Sequence, residues 1–176
     1  MCIILWVIMM NYAKIECNDI ANGTGIGVVL WVQGCDIHCM GCHNPHTWDF
    51  NGGSHFTQQD KNKLFQELQK PYITRLTISG GHPLDQHNVE DVLNLVREVK
   101  AKFPTKDIWL YTGYLYEELY YKEISRILLY IDVLVDGPYI EEQRDITLAF
   151  RGSRNQRLIN VPETLKQGKI ITLQND

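Results

Sequence analysis

Hydrophobic and polar positions along this chain switch between two periods. Residues 26–32 form a continuous run of β-branched and aromatic residues after the turn Ala21-Asn-Gly-Thr-Gly25, and read as a buried strand. Thr57-Gln-Gln-Asp60 has the form of a capping box. It opens a helix with Leu64, Phe65 and Leu68 on one face, between the turn Asn51-Gly-Gly53 and a stop at Pro71. Residues 76–79 make a short strand ending in Gly80-Gly81. The strongest helical period follows, with Val89, Val92, Leu93, Val96 and Val99 at i, i+3, i+4, i+7 and i+10. Asp85 or Asn88 is its expected cap and Pro104 its bound. Beyond it the pattern predicts a strand over 108–111, a helix from 115 to about 129, a strand over 133–135 and a final strand that includes 158–161. Residues 169–176 follow no period.

Strand and helix therefore alternate, which predicts an α/β fold with a parallel sheet. Four strands end in a motif: Gly34-Cys35, Ser79-Gly80-Gly81, Thr112-Gly113 and Asp136-Gly137. Sites in parallel α/β folds collect at the carboxyl ends of the strands, so these motifs are expected to converge on one face.

The first motif carries the chemistry. Gly34-Cys35-Asp36-Ile37-His38-Cys39-Met40-Gly41-Cys42-His43-Asn44-Pro45 places three cysteines at spacing C-x-x-x-C-x-x-C. In an open loop such thiols can face one point, whereas a helix or strand would fan them apart. A metal is the expected centre. Structural zinc asks for a fourth protein ligand, which His38, His43 or a distant cysteine could supply. An iron-sulfur cubane normally takes four thiolates, and with three it leaves one iron open to a small molecule. Three unrelated buried cysteines would sit among apolar residues, and these sit among Gly, His, Asp and Asn.

A C-x-x-x-C-x-x-C loop after a hydrophobic strand resembles the signature of radical S-adenosylmethionine (SAM) enzymes. Further blocks narrow the likeness: Trp31-Val-Gln-Gly-Cys35, Cys42-His-Asn-Pro-His-Thr-Trp48, Ser79-Gly-Gly-His-Pro83, Asp107-Ile-Trp-Leu-Tyr-Thr-Gly113, Val135-Asp-Gly-Pro138 and Arg151-Gly-Ser-Arg-Asn-Gln-Arg157. In this order they resemble the activating proteins of anaerobic ribonucleoside-triphosphate reductase, over roughly residues 10–161.

The resemblance implies an incomplete (partial) βα TIM-like barrel with a mostly parallel sheet, of radical SAM type, as a single domain over 10–176. Cys35, Cys39 and Cys42 would ligate three irons of a [4Fe-4S] cluster, with SAM on the fourth. One electron would then cleave SAM to methionine and a 5'-deoxyadenosyl radical, which abstracts hydrogen from a Gly of the reductase. A low-potential donor such as reduced flavodoxin would supply the electron. The implied cofactor-binding set is Gly41, Cys42, His43, Asn44, Ser79, Gly80, Gly81, His82, Thr112 and Asp136. Gly80 and Gly81 let backbone approach a ligand closely, and the same pair can be an ordinary strand-end turn. The family usually has an acidic residue where this chain has His82, whose neutral imidazole would offer the SAM ammonium a hydrogen bond in place of a charge pair. Asp136 is expected at the ribose or methionine part of SAM, although Asp before Gly also forms turns. Arg151, Arg154 and Arg157 could meet the partner or the SAM carboxylate, or form a solvated basic turn.

Composition narrows the partners. The chain has 176 residues, 44% hydrophobic and 22% charged, as in a globular domain with a real core. A net charge of -4 gives no basic footprint for nucleic acid and no polybasic run for a membrane. Five cysteines with three clustered do not make a secreted disulfide framework, and the reducing cytoplasm fits better. Cys2 and Cys17 read as incidental. The apolar leader through Met10 falls short of the roughly 20 residues that span a bilayer. Two readings of residues 1–9 stand: a non-native leader from an upstream start, or a segment packed on the core. Tyr111, Tyr114, Tyr116, Tyr120, Tyr121 and Tyr130 read as core or helix surface, with an interaction surface as the alternative. Two rival functions also stand: another small radical SAM enzyme acting on a peptide or nucleotide base, and a non-catalytic zinc-binding adaptor.

Overall fold

The computed structural model describes residues 10–120 and 123–173. The leader 1–9 with Cys2, Tyr121, and the last three residues of the tail lie outside them. Alternation of strand and helix gives one sheet of seven strands among the described residues: β1 (Asn11–Asp19), β2 (Gly27–Val32), β3 (Ser54–His55), β4 (Arg75–Gly80), β5 (Asp107–Tyr111), β6 (Val133–Asp136) and β7 (Arg157–Asn160), in the order β3-β1-β2-β4-β5-β6-β7. The centre, β2-β4-β5-β6, is parallel. Both edges are antiparallel, β1 on β2, β3 on β1, and β7 on β6. The sheet is thus mixed, with the parallel part where the motif-bearing strands lie.

Among the described residues four α-helices accompany it: α1 (Gln58–Leu68), α2 (Val89–Lys102), α3 (Tyr116–Tyr120) and α4 (Val161–Gln167). All contribute to a single hydrophobic cluster with Val28, Leu30, Val32, Leu76, Ile78, Ile108, Leu110, Leu134 and Ile159 from one face of the sheet. The alternate positions Arg75, Thr77 and Ser79 of β4, and Trp109 and Tyr111 of β5, point to the other face. That face carries only a small cluster of Trp109, Val133, Val135 and Leu158. No helix among the described residues is long and apolar enough to cross a membrane.

Several expectations change. The helix over 115–129 is a short α-helix and a 3-10 segment, Glu123–Leu129, because apolar spacing over so few residues fits either geometry. The final strand stops at Asn160, whose side chain accepts the Glu163 N–H and caps α4, with Pro at its start and left-handed Gly168 at its end. The tail runs beside β7, with the Leu173 N–H on the Leu158 carbonyl. Asn88 stands at the cap position of α2 without capping it. Its amide instead donates to the Gln33 and His82 carbonyls, tying the helix to two strand ends.

The capping box of α1 is present. Asp60 N–H donates to Thr57 Oγ1, and Thr57 N–H to the Asp60 carboxylate at 3.1 Å. Hydrogen bonds from Thr57 hold the Asp60 carboxyl below the usual range, at about 2, so the stability it contributes is full above its unfolded value near 4 and is lost as pH falls toward 2. Thr57→Ala should cost about 1 kcal/mol at neutral pH. Urea titrations at pH 7 and pH 3 should also show a smaller loss between the two pH values than in the unsubstituted protein.

Candidate metal centre and its cleft

The cysteine loop is pinned where it leaves β2 and where it returns. Gly34 N–H donates to the Thr47 carbonyl at 2.8 Å and Cys35 N–H to the Trp48 carbonyl at 3.0 Å. Gln33 Nε2 donates to the His46 carbonyl at 2.9 Å. A 3-10 turn, Pro45–Thr47, closes the loop, with Thr47 Oγ1 donating to the Asn44 carbonyl. Inside it, Cys42 N–H meets the Cys39 carbonyl, and His38 stacks on Trp48 at 4.5 Å.

The loop rests on the glycines that end β4. Gly81 N–H donates to the Val32 carbonyl at 2.8 Å and His82 N–H to the Gly34 carbonyl at 2.7 Å. A Cβ at Gly81 would stand 2.4 Å from the Gly34 oxygen and 2.8 Å from the Thr47 oxygen. Gly80 has φ +107°, and a Cβ there would meet the Val32 backbone at 2.6 Å. The pair is therefore required by contact between two stretches of this chain's own backbone, whatever else approaches it.

All three cysteines line one cleft of about 390 Å³. The four strand-end motifs meet there, through Cys35, Ser79-Gly80-Gly81, Thr112-Gly113 and Gly137. Burial pushes the Cys35 thiol above its ordinary range, against the opposing effect of the His38 and Ile37 N–H groups. A free thiol so placed keeps its proton, whereas a bound metal removes it. Asn44 N–H lies 3.4 Å from Cys42 Sγ, a donor suited to a thiolate. Among the described residues no three His, Cys, Asp or Glu converge closely enough to hold a single ion. A cubane does not ask that, since each thiolate bonds a different iron. The donor set and the open cleft beside it fit such a cluster.

Other expected site residues divide into two groups. His43, Asn44, Ser79, Gly80, Gly81, His82 and Thr112 line the cleft. His82 is buried, with Nε2 2.8 Å from Thr112 Oγ1 and its ring edge-on to Tyr114. His43 packs on Tyr139 at 4.7 Å. Gly41 and Asp136 do not line the cleft. Gly41 lies against the Glu141 carboxylate, which a Cβ would meet at 2.1 Å. Asp136 is fully buried, accepting from Arg157 Nε at 3.0 Å and Tyr116 N–H at 2.8 Å. Its carboxylate is thus engaged inside the wall, where the sequence suggested contact with a ligand. Cys17 is exposed on β1 and outside the cleft.

Part of one wall, Tyr139, Leu148 and Phe150, had no counterpart in the sequence reading, whereas Arg151 and Gly152 beside it fall in the block Arg151-Gly-Ser-Arg-Asn-Gln-Arg157. Tyr139, Leu148, Phe150 and Gly152 cover the cleft from the segment between β6 and β7, and Tyr111 Oη donates to the Phe150 carbonyl at 2.7 Å. This segment has neither period, so only its neighbouring motifs could have pointed to it. Trp31, Ala21 and Asn22 complete the opposite side.

Gly81→Ala should drive the loop off the β4 end. A loss of about 1–3 kcal/mol in denaturant titration is expected, as for overpacking, with lower iron uptake on anaerobic loading. Normal stability with normal iron would mean that the loop does not depend on this contact.

A family model described as a 4Fe-4S single cluster domain matches residues 21–159. Over 149 residues the chain is 46% identical to the anaerobic ribonucleoside-triphosphate reductase-activating protein of Enterobacteria phage T4, covering 85% of this chain and 93% of that protein. Identity is 44% to the protein of the same name from Vibrio cholerae serotype O1 and 41% to that from Escherichia coli K12, each covering 84% of this chain and 96% of the relative. With the three-cysteine loop, the strand-end motifs and this span of identity together, the chain belongs to the family of anaerobic ribonucleoside-triphosphate reductase-activating proteins.

Proposed function

We propose that this chain is a glycyl-radical activating enzyme, using a [4Fe-4S] cluster and SAM to remove hydrogen from the Cα of one Gly in anaerobic ribonucleoside-triphosphate reductase. The observation that carries this reading is the meeting of three cysteines and four strand ends on one open cleft, in a chain of that family. When bound and reduced, the cluster supplies the electron that splits SAM into methionine and a 5'-deoxyadenosyl radical.

The chain's own residues bind, orient and shield. Cys35, Cys39 and Cys42 hold the cluster, and the Asn44 N–H tempers the charge on the Cys42 sulfur. Ser79, Gly80, Gly81, His82 and Thr112 form the SAM wall, with the His82–Thr112 hydrogen bond fixing its shape. His43, held on Tyr139, flanks the nucleoside. Asp136 acts at one remove, anchoring β7 to β6 through Arg157. The helices' restriction to one face supports a partial βα barrel of radical SAM type whose inner face is the cleft side. The domain spans 10–176. Its open cleft suits a substrate that brings its own loop, as a large reductase does. Reduced flavodoxin in the cytoplasm fits as electron donor.

Two experiments test this. Anaerobically loaded protein should carry about four irons per chain, and Cys→Ala at 35, 39 or 42 should abolish the intact cluster while Cys17→Ala leaves it. Mixed with SAM, reductant and the reductase, it should give 5'-deoxyadenosine and a doublet EPR signal on the reductase whose splitting collapses on Cα deuteration of the target Gly. Full deoxyadenosine formation with a small molecule, and never a signal on the reductase, would make it a small-substrate radical enzyme instead.

A further inference from the structure

Seven arginines occur in the chain, and six have a partner. Arg75 pairs with Asp19, Arg126 with Glu90, Arg144 with Glu141, Arg154 with Asp145, and Arg157 with Asp136 and Glu117. Arg97 lies over the Tyr130 ring at 5.8 Å. Arg151 differs in having, among the described residues, no carboxylate at ion-pair distance and no ring, and its Nε, like that of the paired Arg75, is buried without a hydrogen-bond partner. It lines the cleft that holds the three cysteines. Its position is fixed by the neighbouring Gly152, where a Cβ would come 3.1 Å from the His43 ring and 3.0 Å from Tyr139. The backbone carrying Arg151 is therefore packed against the residue that follows Cys42.

A buried donor without a partner is uncommon in native structures and costs stability unless something completes it. A guanidinium keeps its charge at any working pH, and its planar fork matches a carboxylate. SAM brings one anionic group, the methionyl carboxylate, together with a sulfonium and an ammonium that a guanidinium would repel. Two carboxylate oxygens are enough to meet a metal and a guanidinium together. We propose that Arg151 is the carboxylate-binding residue of this cleft and holds the methionyl carboxylate of SAM, an inference that rests on the cleft being the SAM site.

The test is equilibrium binding to anaerobically cluster-loaded protein, with SAM and with decarboxylated SAM as probes. Arg151→Met should weaken SAM binding by at least about tenfold, the size of one lost charged hydrogen bond. Affinity for decarboxylated SAM should stay within about twofold of the unsubstituted protein's. Arg151→Lys should recover part of the SAM affinity, since it restores the charge without the fork. Iron content and far-ultraviolet circular dichroism should match the unsubstituted protein, which separates a lost contact from a lost fold. Unchanged SAM affinity in Arg151→Met would overturn the proposal, and so would equal losses for both probes. If the unsubstituted protein bound neither probe, the SAM reading of the cleft would fall as well.

Discussion

Backbone packed against backbone, between the end of β2 and the end of β4, is the contact on which the site depends. Gly34, Thr47 and Gly81 meet with no side chain between them, and two hydrogen bonds from Gly81 and His82 close the junction. Parallel neighbours in a sheet lie about 4.8 Å apart, so a loop leaving one strand can lean on the end of the next only where side chains are missing. The contact fixes where Cys35 begins. Gln33 and Asn88 then extend it, one toward the returning half of the loop and the other toward α2.

Placing the four described α-helices on one face has a consequence for the other. The helical face buries a continuous apolar cluster in which truncating a residue such as Leu30 or Ile78 to Ala would cost about 2–5 kcal/mol. This is several times the roughly 1 kcal/mol of a helix cap. Stability is thus concentrated on the side away from the chemistry. The opposite face carries polar and aromatic groups around the cleft: Ser79, Thr112, Tyr111 and Trp31.

The central strands were legible as short runs of β-branched and apolar residues that end in Gly motifs, and α1 and α2 because their apolar residues repeat at 3.6 and their ends carry Pro or a capping box. Convergence of the four motifs also followed from the parallel order alone. β1 was not legible: its exposed and half-buried residues, Asn11 to Glu16, show no clean alternation, and its register with β2 shifts between Tyr12 and Lys14 and again between Glu16 and Asp19. The wall from Tyr139 to Phe150 was hidden for a similar reason, being held by isolated contacts such as Tyr111 to Phe150. Asp136 shows a different limit. A carboxylate at a strand end looks the same in sequence whether it faces a ligand or an arginine twenty-one residues away, and here Arg157 takes it.

At the end of β4 remote from the cysteines, an ion pair is buried on the face of the sheet away from the α-helices. Arg75 enters the sheet at the start of β4 with its side chain fully buried and pairs with Asp19. It fits only because Gly23 and Gly27 leave it room: a Cβ at either would overlap the guanidinium or its stem. Burial disfavours the charge on Arg75, and the nearby Asp19 carboxylate opposes that effect. Removing one member would strand the other, at a cost of about 3–5 kcal/mol. Asp19 also accepts the N–H groups of Ala21 and Asn22, and the Asn22 carbonyl accepts Thr77 Oγ1. Ala21 and Asn22 line the cleft. The ion pair is therefore also the support of one cleft wall: through Asp19 it holds the turn that carries Ala21 and Asn22, and through Asn22 it ties that turn to Thr77 of β4.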